Sequence, residues 1–322
     1  MADVFYNYKD PLNATAAAIL LVLGLFGVIC NGSIVYIFYK AKSERTSFNL
    51  ICVFRSLSNI YILSTTFLGL FLPATLIGSS PYSPPISSWL IHLSNTFYLG
   101  NEYQTILIAL NRFFAMFFPI KYKKIFGIRL TLAILLGIYI YRFVFVILET
   151  ILKNELTCYS FYSLSSLAWQ YDPRDICKTE DNILTVISIR FMITTSINLA
   201  TLAKFIHFYK SGHQANQETQ RRIRRNVILF LQTMLQDSLY LIDLSFMFKL
   251  SQLSESRVWT YISGTFVWQC VHSVDGFIMI MFNERLSLLR RKIFSVPSTK
   301  VLPPKMTISA VSAMPMPPPP VG

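Results

Sequence analysis

Eight ionisable side chains lie inside long apolar stretches of this chain, where a charge without a partner is costly. They are Arg55, Glu102, Arg112, Arg142, Arg190, Asp237, Asp243 and Asp275. Four carry each sign, so one interpretation is that they pair across helices for structure. The other is that some of them line a ligand cavity or belong to a switch.

Other chemistry finds little support in the sequence. His272 has no second histidine or cysteine at metal-ligand spacing, so we expect no metal there and interpret it as a hydrogen-bonded interior group. We find no phosphate loop, no hydrolase elbow and no paired carboxylates placed for catalysis. We therefore expect neither an enzyme nor a bound cofactor.

Helical spacing groups the polar residues into stripes, because residues three, four and seven apart share a helix face. The third, sixth and seventh apolar stretches each carry such a stripe with a polar and aromatic outer end, which predicts an outward-opening pocket among spans three, five, six and seven. The candidate pocket residues are Ser94, Tyr98, Asn101, Glu102, Arg190, Tyr240, Asp243, Tyr261 and Trp268.

The apolar stretches that contain these residues are typical of a membrane protein. Of the 322 residues, 53% are hydrophobic and only 14% are charged, against about 25% charged in a soluble domain. Runs of about 20 apolar residues are long enough to cross the bilayer as helices. The seven runs that we identify are 15–39, 48–73, 89–118, 129–150, 183–209, 226–250 and 258–282. The predicted fold is an all-α bundle of seven transmembrane helices.

The charge distribution predicts the orientation of the bundle. With the N-terminus outside, the cytoplasmic segments hold 19 Lys and Arg against three acidic residues, and the outer segments hold six basic and nine acidic ones. Excess Lys and Arg marks the cytoplasmic side. The C-terminus is therefore expected inside, and the basic loops are expected beside anionic lipid rather than nucleic acid.

Cys158 and Cys177 share the long second outer loop, an oxidising environment in which we expect them to pair. Two free thiols are the alternative. Asn13 begins a formal glycosylation signal close to the first span. We predict an extracellular N-terminus over 1–14, a bundle over 15–295 that includes an amphipathic helix at 284–294, and a disordered Pro-rich cytoplasmic tail over 296–322.

Two segments carry a resemblance to a known family. "LNRFFAMFFPIKYKKIF" (110–126) and "FVWQCVHSVDGFIMIMFNERL" (266–286) resemble the third-helix and seventh-helix signatures of the nematode serpentine chemoreceptors of class Srx. The stretch 221–243 and the pattern of Cys158, Trp169 and Cys177 resemble that class as well. The resemblance implies a chemosensory G-protein-coupled receptor in a sensory cilium of the plasma membrane.

The resemblance also assigns roles to single residues. Arg112 matches the arginine of the Asp-Arg-Tyr motif of rhodopsin-like receptors, with Asn111 in the place of the acid. Asp275 begins the counterpart of their Asn-Pro-x-x-Tyr motif, and Asn59 stands where they usually keep an aspartate. This exchange predicts a polar switch contact between Asn59 and Asp275, with His272 beside it. The absence of a lysine from the seventh span excludes an opsin.

The implied partners are a small odorant-like ligand, a heterotrimeric G protein and the lipid bilayer, with the tail as a candidate site for an arrestin or a kinase. Outward movement of the sixth span would expose the G-protein-coupling residues. These are Arg112, Tyr122, Lys123, Lys124, Arg221, Arg222 and Arg225. The alternatives are a seven-span ligand-gated channel or transporter, and an orphan partner of other receptors.

Overall fold

The structure is a computed structural model of the chain. It describes residues 10–172, 174–177, 183–211 and 217–282, with the backbone alone at 43, 123, 154, 175, 183, 184, 187, 208–211 and 217–226. The predicted amphipathic helix at 284–294 and the predicted tail lie outside these residues.

Helices make up almost all of the described chain. They are α1 (Pro11–Lys40), α2 (Ser47–Tyr61), α3 (Leu72–Ile77), α4 (Pro84–Phe117), α5 (Pro119–Ile125), α6 (Ile128–Glu155), α7 (Ile183–Ser211), α8 (Gln217–Phe248), α9 (Arg257–Tyr261) and α10 (Val267–Phe282). Prolines begin α1, α4 and α5, positions at which a missing backbone N–H costs no helical hydrogen bond. Asp10 caps α1 by accepting a hydrogen bond from the Leu12 amide at 2.9 Å.

Two spans contain a wider helical turn. The π-helical segment Ile62–Phe71 joins α2 to α3, and the segment Ile262–Phe266 joins α9 to α10. Single π-helical stretches inside α-helices are frequent at functional sites. Phe67 of the first segment packs on Trp268 at the start of α10, with ring centroids 5.0 Å apart.

The seven predicted spans are confirmed as helices. Six of them are long and apolar enough to cross a membrane on composition alone. The remaining one is the third span, α4. It has 34 residues and a more polar face that includes Asn101, Gln104 and Asn111, all buried inside the bundle. The sixth span begins at Gln217, earlier than predicted, because its helix continues through the basic segment that precedes the apolar run.

The loop between α6 and α7 contains a β-hairpin that the sequence analysis did not predict. Strands β1 (Phe161–Ser163) and β2 (Ala168–Gln170) pair antiparallel, with Tyr162 opposite Trp169. A disulfide joins Cys158 to Cys177 across the base of this loop. We refer to this end of the bundle as the hairpin end and to the opposite one as the α5 end.

The hairpin packs down onto the helices. Leu167 at its turn is fully buried, and its carbonyl accepts a hydrogen bond from Thr265 at 2.7 Å. Tyr162 stacks on Phe71 with ring centroids 4.3 Å apart, and this burial raises the pKa of Tyr162 to about 12. The hairpin therefore packs over the end of the bundle toward which the sequence analysis expects the pocket to open.

Candidate functional site

A polar network lies at the centre of the bundle, and Asp275 of α10 is its hub. The carboxylate accepts hydrogen bonds from Arg55 at 2.9 Å, from Asn59 at 2.8 Å and from Gln236 at 2.8 Å. Arg55 and Asn59 belong to α2 and Gln236 to α8. All four side chains are fully buried. Arg55 Nη1 also donates to Thr105 at 3.2 Å, whereas Nη2 is buried without a hydrogen-bond partner among the described residues. Through these bonds the network joins α2, α8 and α10.

The network continues through Asn59 into two further helices. Its carbonyl accepts from Asn101 of α4 at 2.9 Å, and its amide contacts Asn31 of α1 at 3.2 Å. The His272 Nδ1 atom lies 2.8 Å from the same carbonyl. A carbonyl oxygen can only accept, so Nδ1 carries the proton of the neutral ring. The structure therefore brings together the three predicted switch residues, Asn59, His272 and Asp275.

Asn31 was missed in the sequence analysis, although an asparagine inside an apolar span is itself a signal. Its amide donates to the carbonyls of Gly27 at 2.8 Å and His272 at 3.1 Å. Gly276 lies directly against it, and a Cβ atom there would come within 2.5 Å of the Asn31 amide nitrogen. This close approach explains why glycine follows Asp275 in the sequence.

A cavity with a volume of about 200 Å³ lies among α4, α7 and α8. Apolar side chains form most of its wall. The residues that line it are Glu102, Thr105, Arg190, Phe191, Thr194, Thr195, Asn198, Leu199, Leu202, Phe230, Met234, Asp237, Ser238, Tyr240, Leu241 and Leu244. Three predicted pocket residues, Glu102, Arg190 and Tyr240, are among them. We refer to this space as the lateral cavity.

Two polar pairs stand in the wall of the lateral cavity. Arg190 donates to Glu102 and to the Tyr103 hydroxyl, each at 2.8 Å, and its guanidinium also lies 4.3 Å from the Tyr103 ring centre. Asn198 donates to Asp237 at 2.8 Å. The sequence analysis left open whether Arg190 binds a ligand, and in the structure it is paired within the protein. Asn198 was missed because no motif marks it.

A second, smaller cavity of about 60 Å³ lies under the hairpin. It is lined by the predicted residues Tyr98, Asp243 and Trp268, and Tyr98 donates to Asp243 at 2.8 Å. Ligand pockets for drug-sized molecules are roughly 300–1,000 Å³, so this space suits only a small group. The lateral cavity is lined by the third, fifth and sixth spans, and the smaller one by the third, sixth and seventh spans together with Trp169 of the hairpin.

Three predicted pocket residues line neither cavity. Ser94 is fully buried and contacts the Thr66 hydroxyl, and Asn101 is committed to the central network. Tyr261 is buried, and its hydroxyl lies 3.5 Å from the Ala16 carbonyl of α1. These three side chains hold helices together. Their assignment to the pocket fails because a polar stripe also serves helix packing.

At the α5 end, Arg112 and Asn111 have different surroundings. Arg112 is 5% exposed, and its guanidinium lies 3.5 Å from the ring centre of Phe48. The Asn111 amide contacts Ser47 at 3.4 Å and accepts from the Tyr122 hydroxyl at 3.3 Å. Tyr122 thus joins α5 to α2 and α4 rather than pointing freely into solvent. Lys124 is exposed.

For the other predicted coupling residues the structure describes the backbone but not the side chains. The side chains of Lys123, Arg221, Arg222 and Arg225 fall at positions where only the backbone is described. That backbone is helical at all four, within α5 and α8.

Charged residues also join the N-terminus to the hairpin end. Arg257 donates to Asn13 at 2.5 Å and to the Leu164 carbonyl at 2.7 Å, and it pairs with Asp10. Asn13 is therefore 2% exposed within the first turn of α1. A glycan acceptor needs an accessible side-chain nitrogen, so the structure argues against glycosylation at Asn13. Nearby, hydrogen bonds from Arg174 lower the pKa of the exposed Asp172 carboxyl.

Seven membrane-spanning helices around a buried polar network, with a disulfide-closed hairpin over one end, define a receptor of the seven-transmembrane class. A family model described as "Serpentine type 7TM GPCR chemoreceptor Srx" matches residues 21–283. The chain therefore belongs to the Srx family, which is a family of receptors. It is also 25% identical over 316 residues to "Serpentine receptor class X 45" of Caenorhabditis elegans, covering 90% of this chain and 84% of that protein.

Proposed function

We propose that this chain is a chemosensory receptor of the plasma membrane that binds a small molecule in the lateral cavity and activates a heterotrimeric G protein. Its N-terminus is outside, and it resides in the sensory cilium of a chemosensory neuron. Membership of a serpentine chemoreceptor family supports the receptor class, and the charge asymmetry of the loops supports the orientation.

The observation that carries this proposal is the double contact of Tyr240. Its side chain lines the lateral cavity, and its ring lies 4.8 Å from the Arg55 guanidinium, which pairs with Asp275. A ligand that displaces Tyr240 therefore acts directly on the ion pair that joins α2 to α10. Gln236 and Asp237, on the same helix as Tyr240, also connect the cavity to the network. Asp237 lines the cavity, and Gln236 donates a hydrogen bond to Asp275.

The mechanism is a shift of population between two packings of the bundle. A ligand shifts such an equilibrium only by its difference in affinity for the two states. In the resting packing, Gln236 holds α8 against α10 and Arg112 lies buried on Phe48. Outward movement of α8 in the bound state breaks the first contact and exposes Arg112, beside the already exposed Lys124, to the G protein. An arrestin or a kinase acts on the cytoplasmic tail.

The test is Arg112→Ala in cells that express the chain with a promiscuous G protein, with a chemical panel read by calcium. Loss of the response with normal surface expression is the expected outcome. Lys153→Ala, at the hairpin end, is the control and keeps the response. An unchanged response in Arg112→Ala would reject this role for the arginine.

A ligand-gated channel or a transporter is the competing function, and an orphan partner of other receptors is another. A ligand-evoked current that persists in the absence of G proteins would identify a channel. Absence of any ligand response, together with altered trafficking of co-expressed receptors, would identify a partner protein. The calcium response is expected to require the G protein.

A further inference from the structure

The lateral cavity lies along the seam between α7 and α8. α7 packs mainly along α4 and meets α8 through a few contacts, among them the Asn198–Asp237 hydrogen bond and the Phe205–Phe230 ring contact. Leu199 of α7 and Leu241 of α8 both line the cavity, and they are 58% and 42% exposed on the outside of the bundle. At this depth the outside of the bundle is hydrocarbon. No residue of the hairpin lines this cavity, and we take the gap between α7 and α8, which faces the bilayer, as the route into it.

The wall of the lateral cavity contains more negatively than positively charged side chains. The one cation in that wall, Arg190, is already bound to Glu102 and Tyr103. Asp237 has a neutral amide, that of Asn198, as its hydrogen-bond partner and no ion pair among the described residues. Arg55 pairs with Asp275 and does not line the cavity. Glu102 Oε1 and the Tyr240 hydroxyl are buried without a hydrogen-bond partner within the described chain. The cavity wall therefore holds two carboxylates, Glu102 and Asp237, against one cation.

A carboxylate in an apolar wall gains most from a ligand that brings a positive charge. From this geometry we propose that the lateral cavity is the binding site of a lipophilic amine that enters from the bilayer. The ammonium group binds Asp237, and the alkyl chain lies along Leu199 and Leu241 toward the gap between α7 and α8. The cavity volume of about 200 Å³ is below that of a drug-sized site, so the buried part of the ligand is small.

This inference rests on the proposed function in one respect, because it takes the amine as the activating ligand. Binding of the amine is therefore measured separately from signalling. The full chain is placed in nanodiscs of neutral phosphatidylcholine, which do not concentrate cations at their surface. The probes are hexylamine, hexan-1-ol and hexanoic acid, and the readout is the thermal unfolding midpoint. Hexylamine is expected to raise the midpoint, and the alcohol and the acid are not.

The matched variants are Asp237→Asn and Asp243→Asn. The amide oxygen of the asparagine in the first variant can still accept the hydrogen bond from Asn198, so this variant is designed to fold. It is expected to weaken hexylamine binding by about 10- to 100-fold, the range for a lost hydrogen bond to a charged group. Asp243 belongs to the smaller cavity, and its variant is expected to bind hexylamine as the wild type does. Asp237→Glu, which keeps the charge, is expected to retain binding.

A chain-length series tests the opening. If the alkyl chain leaves the cavity through the gap between the helices, dodecylamine binds at least as tightly as hexylamine. A loss of binding with the longer chain would overturn the lateral opening. Equal shifts with hexan-1-ol, no shift with any amine, or full hexylamine binding by Asp237→Asn would overturn the assignment of the ligand class. Amine binding without a calcium response would leave this site standing and reject the signalling proposal instead.

Discussion

The Gln236 amide donates a 2.8 Å hydrogen bond to Asp275, while its neighbour Asp237 faces the lateral cavity. Adjacent residues of one helix thus contact the central network and the candidate ligand site. Movement of α8 by a ligand cannot leave the Asp275 carboxylate unaffected. The central network and the lateral cavity are therefore coupled through α8. Each contact of this coupling can be removed by a separate substitution.

Replacing Gln236 by leucine should raise basal signalling. The substitution removes the hydrogen bond that holds α8 to α10 and leaves one Asp275 oxygen without that donor. We expect an increase of about 3- to 10-fold, because a hydrogen bond to a charged group contributes roughly 1.5–3 kcal/mol and part of it is recovered elsewhere. The measurement is the second messenger without ligand, normalised to surface expression. Ser245→Ala, on the same helix and outside both cavities, is the control, and equal basal signals in the two variants would contradict the prediction.

Removing one partner of the Arg55–Asp275 pair should prevent folding. Asp275→Leu leaves a fully buried guanidinium without its counterion, at a cost of about 3–5 kcal/mol. We expect surface expression to fall sharply in this variant and in Arg55→Leu. The double variant removes both charges and should recover much of the expression. A double variant no better than either single one would show that the network depends on more than this pair.

Asn111→Asp should lower basal signalling. In the structure Asn111 contacts Ser47 and Tyr122, both of which can donate to a carboxylate, so the substitution is tolerated. The new charge lies next to Arg112 and stabilises its buried position. A reporter of basal activity, with Asn111→Ala as the control, measures the effect. No change would indicate that Arg112 is already held by its present surroundings.

Serine at either Cys158 or Cys177 should destabilise the hairpin end. The disulfide closes a loop with a sequence separation of 19, which stabilises the fold by roughly 3 kcal/mol in the chain-entropy model. We expect the single and double variants to lower the thermal midpoint by the same amount, since each removes the same bond. A double variant that is clearly less stable than the singles would indicate a separate role for a thiol.

Gly276→Ala should destabilise the fold, because the added methyl group would clash with the Asn31 side chain. All three atoms nearest to the added Cβ belong to the Asn31 side chain, the closest at 2.5 Å. Overpacking of this kind costs about 1–3 kcal/mol. Shortening that neighbour in the double variant Gly276→Ala, Asn31→Ala should restore part of the thermal midpoint. If the double variant is no more stable than Gly276→Ala, the contact with Asn31 is not the cause.

The sequence predicted the elements well because their signals are local. Runs of about 20 apolar residues need no tertiary information to be recognised as spans. The hairpin escaped prediction because three-residue strands in a polar loop leave almost no periodic signal. The candidate pocket was only partly predicted. Tyr98, Glu102, Arg190, Tyr240, Asp243 and Trp268 line cavities, whereas Ser94, Asn101 and Tyr261 pack helices together.

By itself the sequence determined the seven spans, the family signatures and the set of buried charges, since hydrophobic length and residue identity are properties of the chain. Helical spacing gives the face on which a residue lies, but not the neighbour that this face meets. Only the tertiary structure decided that Arg55 pairs with Asp275 and Arg190 with Glu102. That choice depends on the rotation and depth of each helix in the bundle. These follow from the packing of all the helices together, and so does the position of Asp237, which bonds to Asn198 and has no ion pair within the described residues.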